Sequence, residues 1–419
     1  MSSMIIPLKV YFDISSFGIE VTSGFIFIGV GIGSLLLYYL VNLFDRTIVI
    51  KFSIFIITAF QLATVFINDV IAFTICRFII GICIGAIVPI CTNVLCEYLP
   101  KKFRSYTMTT IWGSFGIGQS LVPLFMIIFM PNYEPQQTKN VLICLWVFTF
   151  IACIFVITCF SDSPRSLILS NREKEAFKIL KNMSSSIKEE LTENMFTYIV
   201  SYVKKGGNIE FEKTEIKSLF KKNIIKTTLL LTLIWIFESM LYYGPLLIYS
   251  PTLKNLEITS PKNIILSILV ASLIGVIILS FVALFSESKG IGLRRLSIIG
   301  FVICTIISIL IVIIPKFLIF WLAVFFLFMS SATNTITTYT SCYFPTKIRD
   351  MALGFFYSAT RIGGFLSQFL FLWLFNIETL LPYYTIIFIN FICVVCSYFL
   401  NQEPISGALD SGYYHIDTI

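Results

Sequence analysis

Charge is what this chain has least of. Of its 419 residues only 13% are charged, against roughly 25% in an ordinary soluble domain. A single histidine, His415, sits in a polar tail. There is no G-x-x-x-x-G-K-S/T phosphate loop, which excludes direct use of ATP through that motif. There is no H-E-x-x-H pair, nucleophile elbow or cysteine–histidine cluster either. No enzyme, no metal and no cofactor is implied. Nearly all of the 11 cysteines fall within apolar runs, where a thiol acts as a small apolar side chain. The one C-x-x-C, Cys393 with Cys396, has no redox fold around it. So little polarity also excludes a disordered chain, a disulfide-framed secreted domain and a nucleic-acid partner.

What the chain has instead is apolar surface. Hydrophobic residues make up 57% and aromatics 16%, and the mean hydropathy is +0.90. No soluble core is large enough to hide that much, so the solvent must be lipid. A helix needs roughly 20 apolar residues to cross the hydrocarbon layer. Eleven stretches qualify: 22–43, 52–68, 71–96, 107–130, 140–160, 225–249, 263–285, 296–314, 318–340, 351–374 and 381–400. They are continuously apolar rather than alternating, which disfavours a strand barrel. The expected fold class is an all-α membrane protein.

The net charge of +7 then reads as topology. Ten lysines and arginines in short loops lie on one side of the membrane and five on the other, and the polar segment 161–223 adds twelve to the richer side. By the positive-inside rule that side is cytosolic, with the C-terminus inside and the N-terminus outside. Four regions are expected: a five-span bundle over 1–160, a cytosolic linker with short amphipathic helices over 161–223, a six-span bundle over 224–400, and a cytosolic tail over 401–419. An internal repeat supports the division. Glu97-Tyr98-Leu99-Pro100-Lys101-Lys102-Phe103-Arg104 recurs 245 residues later as Cys342-Tyr343-Phe344-Pro345-Thr346-Lys347-Ile348-Arg349.

The order and spacing of several short motifs resemble the major facilitator superfamily, in its sugar-transporter-like branch. The resemblance is strongest to the group of synaptic vesicle glycoprotein 2 and the organic ion transporters. It rests on Arg77, Gly81 and Gly85; Glu97, Pro100 and Arg104; Asp162-Ser163-Pro164-Arg165; Tyr242-Tyr243-Gly244; and Phe344 to Gly354 followed by Arg361-Ile362-Gly363-Gly364. The resemblance implies two helical bundles rocking about a central site, with this chain matching family helices two to twelve, so that the first is absent or truncated. The function implied is secondary active or facilitative transport of a small organic anion, as symporter or uniporter, in the plasma membrane or an internal vesicle membrane. The family's cytosolic loop motif survives only as Asp45-Arg46 and Lys51, and Cys342 replaces an acid. These departures keep open a second possibility, a transport-dead receptor, scaffold or partner subunit.

Three charged residues lie well inside spans: Arg77, Glu238 and Arg361. A charge at the membrane centre costs about 2.5–3.5 kcal/mol on insertion scales, so each calls for a partner or an aqueous cavity. Arg361 and Glu238 both fall near mid-depth, Arg77 near the outer surface beside Gly81 and Gly85. Either Arg361 faces the cavity and holds an anion in its fork, or it is locked to Glu238 as an ion pair. Any coupled proton would pass through Glu238, the sole intramembrane acid. Tyr242 and Tyr243 are expected near an outer gate, with a helix break at Gly244-Pro245. Trp112, Gln119, Asn334, Tyr357 and Gln368 complete the candidate cavity. On the cytosolic side, Pro100 and Pro345 end helices and Arg104 and Arg349 open the next ones. Asp45 is expected beside an opposing helix N-terminus, and Glu97 beside Arg104 or a base across the gap. With Arg46, Arg165, Glu287, Arg294 and Arg295 these would hold an inner gate; the plain alternative is solvated charges that only set topology.

Overall fold

In lipid the backbone must satisfy its own amides, and long apolar runs do so as helices. The computed structural model describes residues 8, 11–12, 16–98, 104–130, 137–169, 171–186, 191–207, 216–221, 224–255, 265–266, 269–270, 273, 292–314, 317–344 and 346–401. All regular structure among them is helical. The first group is α1 (Ser16–Leu43), α2 (Arg46–Phe66), α3 (Val70–Tyr98), α4 (Arg104–Phe129) and α5 (Gln137–Cys159). Then come three short helices, α6 (Pro164–Leu169), α7 (Glu173–Ser186) and α8 (Glu193–Gly207), and a 3-10 turn at Ile216–Phe220. The second group is α9 (Ile225–Asn255), α10 (Gly292–Ile313), α11 (Leu318–Tyr343), α12 (Thr346–Ile377) and α13 (Leu381–Tyr398). Seven of the described helices are long and apolar enough to cross a membrane by length and composition. The expected span 263–285 lies almost wholly outside the described residues; each of the others falls on one of these helices.

One expectation is corrected. α9 runs without a break through Gly244 and Pro245. The glycine serves packing rather than bending, because a Cβ there would collide with the Phe371 ring of α12.

Within the first group α1 packs along α3. The contact is close because Gly81 and Gly85 present bare backbone: a Cβ on either would strike the carbonyl of Ile26 or Val30. Ser34 Oγ lies 3.2 Å from the Gly85 carbonyl and 2.8 Å from that of Val30. Arg77 lays its guanidinium over the Phe73 ring, 5.0 Å from the centroid. In the second group α9 packs on α12 and α13, and α10 on α11 and α13. Their shared core includes Trp235, Phe301, Phe325, Tyr339, Phe356 and Tyr383. The seam between the two groups is chiefly α1 against α12.

At one end of the second group the chain is stapled. Tyr339 Oη donates to the Asn401 carbonyl at 2.9 Å, while Asn401 Nδ2 reaches Thr227 Oγ1 and Tyr343 Oη, each at 3.0 Å. Arg294 Nη1 donates to the Leu400 carbonyl at 2.9 Å. The linker helices α6, α7 and α8 form their own small core around Leu167, Ile168 and Ala176, with Phe177 edge-on to Phe196 at 5.0 Å.

Gly85→Leu should push α1 off α3, at a cost of roughly 1–3 kcal/mol or more for overpacking. A clearly lowered thermal unfolding midpoint in detergent is the expected result; an unchanged midpoint would show that the seam is looser than described.

Candidate functional site

Arg361 stands where α1, α9 and α12 meet. Gly363 brings α12 onto α9, since a Cβ there would meet the Ile236 carbonyl and the Ser239 hydroxyl. Ser239 Oγ in turn donates to the Thr360 carbonyl at 2.5 Å. From the other group, Gly31 of α1 faces the Arg361 side chain, and an added Cβ would lie 3.4 Å from Arg361 Cβ. The stem of Arg361 is thus held at the meeting of three helices while much of its fork stays unspent. Nη1 donates to Tyr243 Oη at 3.2 Å, and Nε is buried with no hydrogen-bond partner.

Aromatic rings continue from there. Phe27 of α1 stands edge-on to Tyr243 at 4.6 Å between centroids, and Tyr243 to Tyr242 at 5.2 Å. Tyr242 Oη donates to Gln119 Oε1 of α4 at 2.7 Å, a polar contact between the two helix groups. Arg361, Tyr242, Tyr243 and Gln119 are therefore gathered at one junction, together with Phe27, which the sequence did not single out. Its only signal was a place between Gly24 and Gly29 in an apolar run.

Glu238 lies elsewhere. It is five residues before Tyr243 on α9, a rotation of about 140°. Only 3% of it is exposed, and Thr333 of α11 is the first polar group acting on its carboxylate, with Oε2 left without a partner. Among the described residues no ion pair within 4.0 Å joins it to Arg361, although Arg361 is near enough to act on its charge. The remaining candidates are buried on the second group's helices. Tyr357 packs edge-on to Trp235 at 5.2 Å, Asn334 is buried, and Gln368 Nε2 lies 3.5 Å from the Gly364 carbonyl. The Trp112 side chain lies outside the described ones.

Near the loop between α1 and α2 a charge cluster forms around a residue the sequence had placed only in an amphipathic helix. Arg172 Nη1 lies 3.5 Å from Asp45 and 3.3 Å from Asp162, and Arg172 holds Glu175 in a two-pronged contact at 2.9 and 2.7 Å. Thr47 donates to the Asp162 carboxylate, and Tyr98 Oη to the Asp162 carbonyl at 3.0 Å. Asp45, expected beside an opposing helix N-terminus, directly precedes α2 with no side-chain cap bond and pairs, among the described residues, with a linker arginine. Burial, and then the neighbouring Asp45, push the Asp162 carboxyl above its ordinary value, against the pull of Arg172 and Thr47. Glu175 is held below its ordinary value by Arg172. Arg46 is half-buried beside them and Arg295 is exposed. The side chains of Glu97, Arg104, Arg165 and Arg349 lie outside the described ones, as do residues Pro100, Glu287 and Pro345.

The sign at Asp162 is testable. A carboxyl whose folded value is raised loses stability as pH rises from its unfolded value through the folded one. Asp162→Asn should therefore leave the thermal midpoint at neutral pH unchanged or higher, whereas Arg172→Ala, which strands Asp45 and Asp162 together, should lower it. A midpoint lowered more by Asp162→Asn than by Arg172→Ala would reverse the assignment.

Comparison with known proteins places this geometry in context. Residues 1–367 match the model of the Major Facilitator Superfamily. Solute carrier family 22 member 16 from Bos taurus is 24% identical over 361 residues, 84% of this chain and 59% of its own length. The 4-hydroxybenzoate transporter PcaK from Pseudomonas putida is 26% identical over 157 residues, 38% of this chain and 34% of its own. The chain thus spans less than two-thirds of either relative. The solved proton:xylose symporter XylE, bound to 6-bromo-6-deoxy-D-glucose, superposes with a TM-score of 0.79 at 16% identity, covering 98% of this chain and 93% of that one.

Proposed function

The chain belongs to the Major Facilitator Superfamily, and from that premise we propose that it carries a small organic anion across a membrane by rocking its two helix groups. The observation that carries this reading is Arg361: a residue at the seam between the groups, its stem facing Gly31 of α1 and its Nε unpartnered. Such a fork suits a carboxylate, bound bidentately where water is scarce. The rings of Phe27, Tyr242 and Tyr243 beside it favour a flat or aromatic anion over a sugar. A relative named for 4-hydroxybenzoate supports the same preference.

Rocking needs a seam that can part. Three points on α1 step along α12: Gly24 against Phe365, Phe27 against Gly364, and Gly31 against Arg361. These points run from Gly24 to Gly31, so the described contact between the groups spans the middle of α1. A carboxylate taken up by Arg361 competes with Tyr243 for the guanidinium. Because Tyr243 packs on Tyr242, that competition reaches the Tyr242–Gln119 bond between the groups. Glu238, turned toward Thr333 yet within electrostatic reach of Arg361, is the acid assigned to a coupled proton rather than to the solute.

Two measurements in proteoliposomes test this. Arg361→Ala should reduce uptake of benzoate-like anions by about tenfold to a hundredfold, the worth of a charge-assisted hydrogen bond of roughly 1.5–3 kcal/mol; uptake at the parent rate would remove the anion site. Glu238→Gln should flatten the pH dependence of uptake; an unchanged pH profile would indicate uniport.

A further inference from the structure

The transport reading leaves the outer faces of the linker helices without a role. On α7, Lys174, Lys178 and Lys181 recur at the i, i+4, i+7 spacing of one helix face, and all three are exposed. They point away from Ala176, which is fully buried in the linker core. Among the described residues none of the three forms an ion pair: Glu173 is taken by Lys204 at 2.6 Å and Glu175 by Arg172. On α8, Phe196, Ile199, Val200 and Val203 face the same small core. The other side of α8 carries Met195, Tyr198 and Tyr202, exposed at 57%, 72% and 70%. A helix that is apolar on two sides has one side still to cover.

We infer that the α7–α8 linker docks on the anionic lipid headgroups of the bilayer in which the chain itself is embedded. The two helices each offer what such a contact requires: α7 a lysine row for headgroup phosphate and serine carboxylate, and α8 amphipathic tyrosines of the kind that gather at the membrane interface. The occupant follows from tethering as well as from charge. The linker is joined at one end to α5, which finishes at Cys159, and at the other to α9, which starts at Ile225, so the bilayer surface is always within reach. Arg172, at the head of α7, already pins the linker to Asp45 beside the first loop between spans. The inference relies on the cytosolic placement of the linker and not on transport, so loss of the anion-uptake reading leaves it standing.

Hydrogen exchange of the full chain in lipid nanodiscs tests it. Each lysine near an anionic leaflet contributes roughly fivefold to partitioning, so three contribute roughly a hundredfold at low salt. In discs holding about one-third phosphatidylserine, peptides from 173–207 should exchange at least about tenfold more slowly than in phosphatidylcholine discs. The protection should vanish in the triple variant Lys174→Gln, Lys178→Gln, Lys181→Gln and in high salt, while peptides from the spans stay unchanged as a control for folding. Equal exchange in the two kinds of disc would overturn the inference. So would protection that survives the triple variant. Protection produced by added polyglutamate but not by phosphatidylserine would overturn it too, in favour of an acidic protein partner.

Discussion

Inside a lipid-facing helix a polar side chain has two options: it can bond to its own backbone, or it can find a partner across the bundle. α11 takes the first almost throughout. Thr333, Thr335, Thr337, Thr338, Thr340 and Ser341 each lie within hydrogen-bond reach of the carbonyl four residues earlier. Most of these hydroxyls are spent on their own helix, although Thr333 also acts on Glu238 and Thr340 accepts from Trp235 Nε1 at 3.2 Å. Charged groups able to act across the bundle are scarcer still. That scarcity makes Arg361 the centre of the molecule. Gly31 lets α1 approach its stem and Gly363 brings α12 onto α9, leaving a guanidinium whose fork is only partly used.

The helices were legible because apolar length is a strong signal in lipid, and the intramembrane charges were legible because they are so rare. Direction around a helix was not. Glu238 and Arg361 share a depth, which suggested one pocket, yet the angular offset between Glu238 and Tyr243 sends the acid toward Thr333 and the arginine toward Tyr243. Depth follows from counting residues; facing depends on which helices become neighbours. Gly244-Pro245 misled for a related reason. Locally the pair spells a break, but Phe371 needs the space that glycine leaves, and α9 continues unbroken through it.

The charge cluster at Arg172 shows the same limit at longer range. Asp45, Asp162 and Arg172 come from three separate segments, and no spacing rule links them. Asp162 was visible within Asp162-Ser163-Pro164-Arg165, but its partners Thr47 and Tyr98 emerge only when α2, α3 and the linker converge. One arginine serving three carboxylates also explains why the burial cost at Asp162 is only partly offset there.

The staple at Asn401 has a consequence for observing the machine. Its bonds reach Thr227 at the start of α9 and Tyr339 and Tyr343 on α11, and Arg294 of α10 holds the preceding Leu400. The backbone thus departs at a fixed point rather than from a frayed helix end. A spectroscopic label mounted at this exit would travel as a rigid pointer with the second group, so its separation from a label at the head of α2 would record the tilt of one group against the other without blurring from a loose attachment.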